Sequence, residues 1–142
     1  TRSAEVPPAV AALARSWNDL DPDAVLPWLH PDVRYQIPAT ATVLVGPAEV
    51  RAYMDRKLEG IEAVGEDARI DARPGWIEPG GDRVWVVILG QGDLERSAVC
   101  RVETGPDGRI REVTVSIDRA DREAAIEVVV DPPPIDPSSE AR

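Results

Sequence analysis

Arg101 and Glu103 alternate with Ala98, Cys100 and Val102, so one face of this stretch is charged and the other apolar. If the charged face borders a cavity, Arg101 is a group that holds an anion or polarises a carbonyl. If the apolar face is turned to the core, the pair meets solvent or a second subunit. The cost of burying an unpaired guanidinium favours the latter. Arg69-Ile70-Asp71, followed by Arg73, spells a second arginine–carboxylate set on one strand face. By residue type this set reads as an ordinary solvated face.

The other chemistry-bearing residues stand alone. His30, the only histidine, has no ligand partner at metal spacing and reads as the last residue of a helix, where it suits the helix dipole. Cys100, the only cysteine, lies on an apolar stretch and reads as a small core residue. Gly90-Gln91-Gly92 has no helix behind it and is a turn, not a dinucleotide loop. No metal and no organic cofactor is therefore expected, and the catalytic residues, if there are any, are not assigned. Phenylalanine is absent, so four tryptophans and two tyrosines carry the aromatic surface.

At 142 residues the chain is expected to form one domain, with 43% hydrophobic and 30% charged residues. A net charge of -10 with scattered arginines and a single lysine, Lys57, argues against nucleic acid as a partner. No apolar run approaches the roughly 20 residues of a membrane span, and no signal-peptide pattern is visible. One cysteine permits no intrachain disulfide, in keeping with a cytoplasmic location.

The elements that position these residues follow from periodicity. After a loose lead through residue 6, Pro7 and Pro8 open a helix with Val10, Leu13, Ala14 and Trp17 on one face. Asp21-Pro22 starts a second, short helix stopped by Pro31. Val33 to Pro38 reads as a strand, and residues 39–45 leave room for another. Gly46-Pro47 opens a third helix bearing Val50, Tyr53, Met54, Leu58 and Ile61. The second half is strand: 68–77 with a bulge or bend at Pro74-Gly75, 83–89, 94–104 and 109–118, then a short closing helix over 119–128. The domain is placed at 5–128, and residues 129–142 read by composition as a disordered, Pro-rich acidic tail. The predicted core includes Leu13, Trp17, Val25, Leu29, Val33, Val50, Leu58, Ile70, Val86 and Ile110.

Helices first and an antiparallel sheet afterwards give an α+β fold. The run W-N-D-L-D-P-D-A-V-L-P-W-L-H-P-D-V-R-Y-Q-I-P from Trp17, the G-P-A-E-V-R-A-Y-M from Gly46 and the D-G-R-I from Asp107 resemble, in order and spacing, the nuclear transport factor 2-like superfamily. The branch resembled is that of the polyketide-cyclase-like (SnoaL-like) proteins, with ketosteroid isomerases and limonene epoxide hydrolases as more distant kin. The resemblance implies a cone-shaped, cystatin-like α+β barrel: three N-terminal helices on a curved, mainly antiparallel sheet, around a pocket. It places Trp17, Tyr35, Ile37, Tyr53, Trp85 and Arg101 at the pocket. Where the isomerases hold a carboxylate, a phenol and a second acid, this chain has Ile37, Leu13 and Val99. Where the hydrolases hold an Arg-x-Asp it has Val84 to Leu89, and their final acid falls near Val115, with Asp118 three residues late. None of the isomerase positions can accept a proton, so that mechanism is not expected.

Two functions are left open, with a divergent hydrolase using Asp71 and Arg73 as a third. One is a pocket for a hydrophobic small molecule, with cyclase-, isomerase- or hydrolase-like activity. The other is a non-catalytic dimerisation or regulatory module with a filled cone. A homodimer through the outer sheet face is expected, because the strand from Val84 to Leu89 is apolar on both sides and its second side must be covered by an oligomer interface or by the chain's own tail.

Overall fold

The computed structural model describes residues 2–3 and 5–129. Helix α1 (Pro8–Asn18) begins at the expected prolines and buries Val10, Leu13, Ala14 and Trp17. Its end is docked by Asn18. The side-chain amide donates to the Ala72 carbonyl (2.8 Å) and accepts from the Ala72 N–H (2.6 Å), standing in for a strand partner.

The second helix of the sequence reading is absent. Two 3-10 turns, Pro22–Ala24 and Leu26–Trp28, take its place. Asp21 does cap the first, accepting from the Asp23 N–H at 3.0 Å, but Pro27 lacks the N–H that would continue a helical ladder. His30 consequently sits in a strand, where its Nδ1 accepts from the Asp32 N–H at 3.0 Å, and not at a helix end.

After β1 (Arg2–Ser3) and α1 come β2 (Leu29–Ile37), β3 (Thr42–Val45), α2 (Pro47–Val64), β4 (Ile70–Ile77), β5 (Val84–Gln91), β6 (Leu94–Thr104), β7 (Ile110–Ser116), α3 (Arg119–Ala124) and β8 (Ile126–Val129). Three further expectations are corrected. Arg2–Ser3 is not loose but pairs in parallel with Val128–Val129. The closing helix stops at Ala124, and β8 continues as a strand beside β4. Pro74-Gly75 makes no bulge, since β4 and β5 pair without a break from Ile70↔Gln91 to Ile77↔Val84. Gly75 is needed for a different reason: a Cβ there would collide with the Ile126 carbonyl of β8. The expected tail from 130 to 142 lies outside the described residues.

The strands form one curved sheet in the order β1-β8-β4-β5-β6-β7-β2-β3, antiparallel except for β1–β8 and β2–β7. It has two edges and does not close, so the architecture is α+β with helices on a curved sheet and not a barrel. The inner face carries the main core. Val33, Tyr35, Ile37, Ala72, Val87, Leu89, Ala98, Cys100, Val102 and Val113 pack with the apolar faces of α1 and α2. Nine of the ten predicted core residues are buried, and Ile70 is partly buried against the same cluster. Each fully buried aliphatic side chain here contributes about 1.5–3 kcal/mol.

The outer face has its own smaller core of Ile77, Val86, Ile88, Val99 and Ala125. Val86, Ile88 and Val99 are fully buried within the single chain. The second apolar side of β5 is thus covered by the chain's own α3–β8 segment, so its patterning does not require a second subunit.

Candidate functional site

Two places bring chemistry-bearing side chains together, one on each face of the sheet. On the inner face, Tyr35 of β2 and Cys100 of β6 are both fully buried in the same cluster. Burial, and next the Cys100 charge, push the Tyr35 phenol well above its ordinary value. Burial pushes the Cys100 thiol up to about 12. At neutral pH the thiol is protonated and is no nucleophile. Tyr53 of α2 lies beside Tyr35 with ring centroids 5.5 Å apart, tilted 44°, and the Lys57 ammonium stands 5.8 Å over its ring. Desolvation raises the Tyr53 phenol too. Trp17 and Ile37 belong to the same buried cluster, and the Trp17 indole N–H is buried with no acceptor among the described residues. Trp85 packs at the margin of this layer, edge-on to Trp76 at 5.8 Å, with the Arg83 guanidinium 4.0 Å over the Trp76 ring.

Of the six pocket residues suggested by the sequence, five therefore lie on the inner side of the sheet. Arg101 is on the other side: it pairs in register with Val86 and Thr114, both outward-facing. Val99, aligned with an isomerase acid, is also outward, and its inner neighbours are Ala98 and Cys100.

Around Arg101 the outer face forms a cavity of about 790 Å³. Val84, Val115, Ile117, Pro38 and Ala39 supply apolar walls, and Arg101, Glu103, Glu112, Thr114, Ser116, Asp118 and Asp121 supply polar groups. Arg101 Nη2 contacts Asp121 Oδ1 at 3.2 Å, and Ser116 Oγ donates to Asp121 Oδ2 at 2.7 Å. The Ser116 hydrogen bond, followed by Arg101, holds the Asp121 carboxyl below the usual carboxylate range. Glu103 and Glu112 face each other across β6 and β7. Among the described residues no group of three or more His, Cys, Asp or Glu has the disposition to hold a metal.

Two smaller cavities, about 370 and 400 Å³, share Asn18, Asp19 and Arg69 at the C-terminal end of α1. Arg69 and Asp71 are exposed, and Arg73 is bound to Glu127 and to the Glu95 carbonyl (2.6 Å). The Arg69-Ile70-Asp71 set is thus a solvated face.

Glu112, Thr114, Ser116 and Asp121 escaped the sequence reading. The alternating polar residues at 112, 114 and 116 were the available signal, but only the strand register sets them beside Arg101.

A family model described as the SnoaL-like domain matches residues 10–116. The chain belongs to this family. Solved structures agree on the fold. A protein of ketosteroid isomerase-like fold from Catenulispora acidiphila, crystallised with trimethylamine, is 14% identical with a TM-score of 0.58, over 83% of this chain and 91% of that one. A SnoaL-like protein from Burkholderia thailandensis is 20% identical with a TM-score of 0.55, over 77% and 90%. A cystatin-like protein from Silicibacter pomeroyi is 17% identical with a TM-score of 0.59, over 82% and 78%. No curated protein matches the chain. Among the described residues no helix is long and apolar enough to cross a membrane.

Proposed function

We propose that this chain binds a small organic molecule in the Arg101 cavity, on the sheet face opposite α1 and α2. The observation that carries this reading is the cavity itself. Its volume of about 790 Å³ falls within the roughly 300–1,000 Å³ of ligand pockets. Its lining combines apolar side chains with a few convergent polar ones, as such pockets do. The inner tyrosines and Cys100, by contrast, are protonated and packed, and serve as core. Arg101 orients a polar group of the ligand while Val84 and Ile117 contact its apolar body. This is a positioning site, with no acid–base pair assigned to it.

The test is a ligand-observed NMR screen with ring-bearing acids, amines and neutral compounds, followed by titration of variants. Arg101→Ala is expected to weaken a hit by about 10-fold or more, the scale of a lost charged hydrogen bond. Tyr53→Ala should leave the affinity unchanged. The reverse pattern would move the site to the cone interior.

A second reading has its own observation. Val43, Val45 and Ile117 are large apolar residues left exposed, and Val43 and Val45 lie in register with Gln36 and Arg34 on the Arg101 side. In that reading a homodimer covers this face and the cavity lies at its interface. Light scattering across protein concentrations decides it, a constant monomer mass excluding the dimer.

A further inference from the structure

The wall of the Arg101 cavity nearest the C-terminus is α3, and this helix is held differently from everything around it. None of its six residues is buried. It lies against β6 and the end of β7 through polar contacts: Arg101 and Ser116 grip Asp121, and Arg122 donates to the Arg96 carbonyl at 3.1 Å. The segment that follows is anchored by other means. Ala125 and Val128 are buried. β8 is hydrogen-bonded into the sheet beside β4, and Glu127 is ion-paired with Arg73. Between the two, Arg96 Nη1 donates to the carbonyls of Arg122 (2.6 Å) and Ala125 (2.8 Å), stapling the last turn of α3 to β6.

This division has a consequence for the cavity. Val84 lines it and also packs on the outer core of Ile77, Val86, Ile88 and Val99. The apolar floor therefore continues from the cavity towards the side chains beside α3. Polar contacts made at half-exposed groups each contribute little and are screened by salt, whereas burial and ladder hydrogen bonds are not. The α3 end of the segment is thus the part that opens at the lowest free-energy cost.

We propose that α3 is a lid on the Arg101 cavity. Asp121 is its latch, and the Arg96 staple at Ala125 is its hinge. When the latch opens, Arg101 is freed for a ligand's polar group and the cavity extends along the apolar floor towards Val86 and Val99. The lid admits a molecule with an apolar ring system and one polar end, in preference to a small fully polar one. Its function as a gate rests on the binding reading above, but the motion itself does not.

Hydrogen exchange read by mass spectrometry on the full chain, without ligand, tests the motion. Asp121→Asn and Arg101→Gln should each raise exchange in peptides covering 117–124 by roughly tenfold or more. Peptides of β5, β6 and β8 should keep wild-type protection. Asp121→Glu should restore the latch. Binding of the dye anilinonaphthalene sulfonate should rise in Asp121→Asn with no change in thermal midpoint. The proposal is overturned if α3 exchanges at the wild-type rate in both variants. It is equally overturned if α3 and β8 lose protection together, which makes the segment one structural unit. These readouts involve no ligand, so failure of the compound screen removes the binding site and leaves the lid result standing.

Discussion

Tyr35 and Cys100, 65 residues apart in the chain, are buried in one cluster between sheet and helices, each with its proton held by burial. Between the ordinary thiol value of 9.0 and about 12, the unfolded chain has released the Cys100 proton and the folded chain still holds it. The folded state binds more protons across this window, so stability is full below it and falls as pH rises through it. Tyr35 adds a contribution of the same sign from 10.0 upward. Urea midpoints at about pH 8 and about pH 10.5 should show the decline, and Cys100→Ala should lessen it. Equal midpoints in the parent protein would contradict the buried, protonated pair.

Tyr53 sits half-buried against the Tyr35 ring. Tyr53→Ala should cost about 2–3 kcal/mol, below the roughly 3–5 of a fully buried aromatic. Urea titration measures it. A loss under about 0.5 kcal/mol would mean the ring is not part of the core in solution.

The Trp17 indole N–H is buried with no acceptor among the described residues. Trp17→Phe loses some apolar contact but removes an unsatisfied donor, which by itself costs about 1–3 kcal/mol. The two effects oppose, and the net change in stability should stay within about 1 kcal/mol. A much larger loss by chemical denaturation would show that the N–H is bonded in solution, to water or to a ligand.

Gly75→Ala places a methyl group against the Ile126 carbonyl, which is backbone and cannot step aside without moving β8. A destabilisation of about 2–3 kcal/mol is expected, at the upper range of overpacking. Exchange protection should be lost first in 126–129. An unchanged thermal midpoint would refute the close approach of the two strands.

The amino-acid order determined what is local and periodic. Val10, Leu13 and Trp17 announce α1, Gly46-Pro47 opens α2, and the alternation at 98–102 marks the apolar side of β6. These signals, taken in order, were enough to place the chain near its family. Some local signals misled because a competing constraint prevailed: Pro27 reduced the second helix to turns, and Gly75 serves the close approach of β8 to β4 and not a bulge. The tertiary structure alone decided which side of the sheet each face meets. Alternation separates Arg101 from Cys100 but cannot say that Arg101 faces a cavity walled by α3, because that depends on pairing with Thr114 and on a helix 20 residues away returning to β6. Nor could it say that the second apolar side of β5 is covered by the chain's own Ala125 segment. Such contacts join residues distant in sequence, and period-two patterning carries no record of which strand lies beside which.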